Sequence, residues 1–207
     1  SLETTHASVM DAMGNAVSYT TTLNLSYGTK IVAAGTGMLL NNEMDDFSAK
    51  ENEPNFYGLI GRQANAIEPG KRMLSSMTPT IVVKGGKPLL VTGSPGGSTI
   101  ITTTLQIILN VLDHKMSLSD AVSSPRFHHQ WLPTQVIYEP QAFSADTRRA
   151  LESRGHNELM LIPGTYQIGD GNSVMRSEKG IEGMADPRNA GTAVGSSGAV
   201  KSAAVAK

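Results

Sequence analysis

Two hairpin signals stand ahead of the one long apolar helical stretch in this chain, and that order restricts it to sheets layered against helices. Residues 7–11 and 16–24, rich in β-branched and aromatic side chains, flank Ala12-Met13-Gly14-Asn15, where Gly-Asn suits a tight turn. Residues 80–84 and 88–92 repeat the pattern around Gly85-Gly86 and run into the glycine turn Gly93-Ser94-Pro95-Gly96-Gly97-Ser98. That turn opens a predicted helix over about 98–113. A shorter helix is predicted from Ser117, with Asp120 placed to complete a capping pair and Pro125 ending it. A third, over 144–154, stops at Gly155. Further strands are expected at 31–40, 134–139, 158–162, 172–176 and 180–185. Strands, then helices, then strands predict a layered α+β sandwich rather than alternating βαβ units.

No repeat or linker divides the chain, so residues 1–188 are expected to form one domain. Residues 189–207 turn to Ala, Gly, Ser and Val without periodicity and are expected to be a disordered tail. A net charge of -1 supplies no field for nucleic acid or anionic membranes, which leaves small molecules or proteins as partners. The apolar run 100–112 is interrupted by three threonines, a glutamine and an asparagine, and it falls short of the ~20 residues of a membrane span. With no cysteine, disulfides and thiolate chemistry are excluded and an oxidising compartment is tolerated. No signal peptide is visible in the chain, as expected for the C-terminal part of a larger precursor.

Near the start stands Thr4-Thr5-His6. A threonine at an N-terminus carries nucleophile and base in one residue, because a free α-amine titrates near ~8 whereas a lysine amine titrates near ~10.4. Ser1-Leu2-Glu3 precede Thr4, so its amine requires cleavage after Glu3; by itself a Thr-Thr pair also reads as the start of a strand. The backbone N–H groups of Gly96 and Gly97 suit a developing oxyanion, although a tight turn needing positive φ is the plainer reading. No Gly-Lys-Ser/Thr follows, which argues against a phosphate loop. Ser75 and Ser76 can receive a carboxylate or merely satisfy a turn. Asn24, Glu43 and Asp46 can accept hydrogen bonds from an ammonium group, or the acids can simply be solvated. Residues 51–62 read as a lid, since so long a loop is uncommon unless it binds or covers something. His6 is read as structural rather than as a general base, and His128-His129 as pointing to opposite sides rather than to one metal.

Four motifs occur in order. They are Thr4-Thr5-His6-Ala7-Ser8-Val9, the run from Leu40 to Ser48, the run from Pro69 to Thr80, and Thr92-Gly93-Ser94-Pro95-Gly96-Gly97-Ser98. With Pro125-Arg126-Phe127-His128-His129-Gln130-Trp131 and Asp186-Pro187-Arg188, these resemble the small, catalytic subunit of a γ-glutamyltransferase over nearly everything before the tail. The resemblance implies the N-terminal-nucleophile hydrolase fold, an αββα four-layer sandwich, with two subunits made by self-cleavage of one precursor. It implies that Thr4 takes the γ-glutamyl group of glutathione and related compounds as an ester, released by water or an amine, with no metal and no cofactor. Thr22 then supports the nucleophile and Gly96 and Gly97 hold the oxyanion. Asn24, Glu43 and Asp46 receive the substrate amine, Ser75 and Ser76 its carboxylate, and Tyr57 closes the lid. The implied partner is the large subunit of the same precursor, which supplies a carboxylate-binding arginine, and the implied location is periplasmic or extracellular. Segment 164–178 departs from the family's usual wording. Alternatives are a cephalosporin or glutaryl acylase, and a non-catalytic uncleaved fragment that self-associates through surface the large subunit would cover.

Overall fold

The computed structural model describes residues 4–164 and 166–195; Ser1-Leu2-Glu3 and the part of the expected tail beyond Gly195 lie outside the described residues. Strands β1 (Thr5–Met10) and β2 (Ala16–Thr21) form the first hairpin, in a register that sets Thr5 opposite Thr21 and Met10 opposite Ala16. Asp11 closes its turn by accepting from the backbone and side-chain nitrogens of Asn15 at 2.9 and 2.7 Å. Strands β3 (Thr80–Lys84) and β4 (Lys87–Thr92) form the second hairpin.

Helices α1 (Thr99–Leu112) and α2 (Leu118–Ser123) follow, then β5 (Phe127–His128), β6 (Val136–Tyr138), α3 (Ala145–Glu152), β7 (Leu159–Leu161), β8 (Ser173–Ser177) and β9 (Gly180–Met184). Local side-chain caps place the two shorter helices as their sequences predict: Ser117 accepts from the Asp120 N–H at 3.1 Å, and Ser144 from that of Thr147 at 3.1 Å.

An antiparallel sheet of order β3-β4-β8-β9 is the centre of the molecule. Leu90 of β4 and Met184 of β9 pack with Ile107, Val111, Leu118, Ala121 and Val122 of α1 and α2 to form the apolar core. Burying such side chains contributes ~1.5–3 kcal/mol each. The hairpin β1-β2 lies against β4 and β8 on the side away from this core. The order hairpin sheet, central sheet, helices gives three layers among the described residues and the α+β class that the element order predicts. A small third sheet, β5-β6-β7, carries a parallel β6-β7 pair joined through α3.

One expectation is corrected. Residues 31–40 form no strand: Gly35 and Gly37 take positive φ, the chain folds back so that Ala33 N–H reaches Met38 O, and only the bridge between Val32 and Leu39 remains. The two-residue strand β5 is too short to show a period. Of the residues expected as a tail, Asn189 donates from its side chain to Asp170 at 3.2 Å, and residues 189–194 wall a cavity beside Thr4.

Candidate active site

Continuing the β1-β2 register by one residue sets Thr4 opposite Thr22, and the Thr4 hydroxyl donates to the Thr22 hydroxyl oxygen at 3.0 Å. Thr22 Oγ1 also accepts from the Asn24 N–H at 2.9 Å, so three candidate residues are joined in sequence. Strand alternation aims Thr4 inward with His6 and Ser8 while Ala7 and Val9 face outward. The inward face is a polar seam: Ser8 donates to Asn172 O at 2.8 Å and Ser18 to Thr92 O at 2.9 Å.

With the Ser8 proton committed to Asn172 O, the Ser8 oxygen accepts from His6 Nε2 (2.9 Å), and His6 Nδ1 accepts from Thr20 (2.7 Å). His6 is therefore a neutral, structural donor-acceptor, and burial pushes its pKa down to about 4. Its ring lies where a side chain on Gly93 would stand, which is why that position has no Cβ.

The turn after β4 carries Gly96 at φ +137° and Gly97 at φ +58°, conformations that favour glycine. Neither N–H makes a hydrogen bond among the described residues. The turn is clamped from behind by segment 168–172: the Asp170 N–H donates to Ser94 Oγ at 2.8 Å, and Gly169 packs against Ser94 and Thr103 with no room for a side chain. From the front the Tyr57 ring covers Gly97, 2.6 Å from where a Cβ would be, and the Tyr57 hydroxyl donates to Asn24 O at 2.9 Å. The Tyr57 ring thus lies over the Gly96-Gly97 turn.

Glu43 and Asp46 occupy a short 3-10 turn (Glu43–Asp46), and their carboxylates face each other. Burial, then the charge of Asp46, raises the Glu43 pKa to about 7, and Asp46 is raised too, chiefly by burial. Glu43 Oε1 is buried without a hydrogen-bond partner among the described residues. An acid pair with one orphan oxygen and no ion-pair partner among the described residues has the chemistry to accept a cation. Asp46 and Ser76 line one cavity of about 300 Å³, whereas Ser75 is exposed and accepts from the Met77 N–H at 3.2 Å. Asn65, which no sequence signal singled out, links the two regions: it donates to Asp46 O at 2.7 Å and accepts from the Leu74 N–H at 2.9 Å. Asn55 was missed as well; its side-chain oxygen accepts from the N–H groups of Tyr57 and Leu59, both at 3.0 Å, and shapes the lid tip.

Thr4 lines a cavity of about 370 Å³, and Gly96 lines one of about 820 Å³. Neither of these, nor the Asp46 cavity, holds Thr4 together with Asp46. Both ring nitrogens of His128 are taken, Nδ1 with Thr102 and Nε2 with Gln130 at 2.8 Å each, and His129 stacks edge-on against His156. Gln130 in turn donates to Tyr57 O at 3.1 Å, so the segment that follows β5 holds the lid backbone.

A family model described as Gamma-glutamyltranspeptidase matches residues 1–196. The chain is 52% identical over 188 residues to a glutathione hydrolase proenzyme of Escherichia coli, covering 90% of this chain and 32% of that protein. A crystal structure of the T380A mutant of Helicobacter pylori gamma-glutamyltranspeptidase superposes with a TM-score of 0.83 at 52% identity, covering 89% of this chain and 100% of that one. That from Pseudomonas nitroreducens complexed with L-DON does so with a TM-score of 0.83 at 43% identity, covering 93% and 99%. The chain spans about a third of the length of the curated relatives it matches.

Proposed function

The chain belongs to the gamma-glutamyltranspeptidase family, and from that premise we propose that it supplies the nucleophile and most of the donor site of an enzyme that transfers or hydrolyses γ-glutamyl groups. The observation that carries this reading is the Thr4 hydroxyl, buried at the head of β1 and hydrogen-bonded to Thr22. In the reading, Thr4 Oγ1 first attacks the carbonyl of Glu3, the carbon–nitrogen bond breaks to leave an ester and a free α-amine, and water hydrolyses that ester to restore the hydroxyl. That amine then takes the hydroxyl proton as Thr4 Oγ1 attacks the γ-carbonyl of glutathione or a related compound. The Gly96 and Gly97 N–H groups receive the developing oxyanion. The leaving amine departs with a proton, and water or an acceptor amine resolves the ester.

Asn24, Glu43 and Asp46 receive the substrate α-ammonium, and Ser75 and Ser76 its α-carboxylate. The acid pair favours a γ-glutamyl over a glutaryl donor, because a glutaryl group would leave both carboxylates facing each other without a cation. Tyr57 closes the pocket over Gly97 and excludes water. The partner is the large subunit of the same precursor; the exposed α1 residues Ile101, Leu105 and Leu109 support a covering polypeptide. The proposed location is periplasmic or extracellular, and no described helix is long and apolar enough to cross a membrane.

The test is release of nitroaniline from a γ-glutamyl anilide by the processed full-length protein. Thr4→Ala is expected to remove turnover by at least ~1000-fold with an unchanged circular dichroism spectrum. Equal turnover by the variant would sink the assignment of Thr4.

A further inference from the structure

Release of the acyl group by an amine poses a second recognition problem, since at neutral pH that amine arrives as an ammonium. Asp170 lines both the cavity of about 370 Å³ beside Thr4 and the cavity of about 820 Å³ beside Gly96. It therefore stands on the wall between the nucleophile and the larger space. Its carboxylate is held by neutral donors only, the side-chain amides of Asn172 at 3.3 Å and Asn189 at 3.2 Å. Arg126, the buried cation nearest in chemistry, is committed to Asp186, Val122 O and Ile168 O. Asp170 thus carries a charge without an ion-pair partner among the described residues. Burial and the neighbouring charge of Asp186 make that charge costly to keep, which an arriving cation would relieve. Lys30 also lines the larger cavity and makes no ion pair among the described residues. One cavity accordingly presents one negative and one positive group, with the aromatic rings of Phe56, Tyr57 and Tyr166 between polar walls.

We propose that Asp170 and Lys30 select the acceptor: Asp170 receives the ammonium, and Lys30 the carboxylate, of an amino acid or short peptide. The inference rests on the acyl-transfer reading above. The place of Asp170 on the shared wall sets the acceptor nitrogen beside the cavity that Thr4 lines. The ammonium first passes one proton to the Thr4 amine; the nitrogen lone pair this frees then attacks the ester carbonyl carbon, and the new amide forms as the carbon–Oγ1 bond breaks. Of the two protons the ammonium loses, one returns to Thr4 Oγ1 and the other leaves to solvent through the Thr4 amine.

The experiment uses the processed full-length protein, a γ-glutamyl anilide donor and three acceptors. Glycylglycine carries both charges, glycinamide lacks the carboxylate, and hydroxylamine is uncharged at mildly alkaline pH. Asp170→Asn is expected to raise KM for glycylglycine about tenfold or more relative to KM for hydroxylamine, the size of one charge-assisted hydrogen bond. Lys30→Met, an exposed change that does not threaten folding, is expected to raise KM for glycylglycine several-fold, about the weight of a partly exposed charge contact, relative to glycinamide. Equal changes for all three acceptors, or no change in either ratio, would overturn the proposal while leaving the acyl-transfer reading standing. Absence of anilide cleavage by the wild-type enzyme would overturn both.

Discussion

Two pairs of carboxylates in this molecule live in opposite settings. Glu139 and Asp186 are buried and each meets an arginine: Arg126 reaches Asp186 at 2.6 Å, and Arg188 reaches Glu139 at 2.6 Å and Asp186 at 3.1 Å. The remaining donors go to Val122 O, Ser124 O and Ile168 O, so the network ties the end of α2 to the segment that clamps the Gly96-Gly97 turn. Burial alone would raise the Glu139 pKa, but the hydrogen bonds and charge of Arg188 outweigh it and hold the group below its ordinary value. Glu43 and Asp46 instead meet each other, and both are raised. Carboxylates with cations built in are fixed parts of the fold, whereas carboxylates without one are a place for a cation to arrive.

The largest expected effect breaks the first pair. Arg126→Ala leaves Asp186 buried without its closest cation and is expected to destabilise the protein by about 3–5 kcal/mol in urea unfolding. A loss below about 1 kcal/mol would mean that Arg188 alone suffices. The second pair should answer oppositely. Glu43→Gln is expected to raise KM for a γ-glutamyl donor about tenfold, while the unfolding midpoint holds or rises. A fall in stability would place Glu43 with the structural acids.

Titration sharpens the contrast because the two settings have opposite signs. Glu139 has a lowered folded pKa, so its contribution is complete above its ordinary value of 4.5 and disappears as pH falls through the folded value. Glu43 has a folded pKa of about 7 against 4.5 ordinarily, so its contribution is present below 4.5 and is lost as pH rises through about 7. Thermal melts between these values should slope downward with pH less steeply in Glu43→Gln than in wild type. In the same window kcat/KM of the wild type should fall with acid more steeply than protonation of the Thr4 amine alone dictates, because Glu43 is protonated below about pH 7, and the variant should keep only the limb of the amine. An identical acid limb in both proteins would assign it elsewhere. The smallest effect belongs to the lid: Tyr57→Phe removes the bond to Asn24 O and should cost about 1 kcal/mol, a several-fold rise in donor KM. No change would show that the ring on Gly97 does the closing by itself.

Much of the scaffold was legible because its signals are local. Ser117 with Asp120, and Ser144 with Thr147, are caps three residues apart, and the turns at Gly14 and Gly85-Gly86 announce their hairpins. Residues 31–40 misled because apolar residues in an extended run imitate a strand, while the positive φ of Gly35 and Gly37 turns the chain back. The site residues came from motif and resemblance, but their linkage did not. Asn65 and Asn55 look like any loop asparagines until the chain brings Asp46, Leu74, Tyr57 and Leu59 to them. Arg126 carries no local mark of burial, since its ion-pair partner Asp186 stands 60 positions away, and Arg188, beside Asp186 in sequence, meets Glu139 only across 49 positions.

By itself the sequence determined most of the elements, the alternation that turns Thr4 inward beside Thr22, and the chemistry that a threonine hydroxyl there can offer. These depend on neighbours along one strand or one hairpin, where covalent connection sets the distances. Only the tertiary structure decided which carboxylates receive a built-in cation and which are left facing each other. It also decided that Tyr57 lies on Gly97 and that Asp170 stands between two cavities. Those outcomes depend on burial and on separations through space, and charge interactions strengthen or weaken with both.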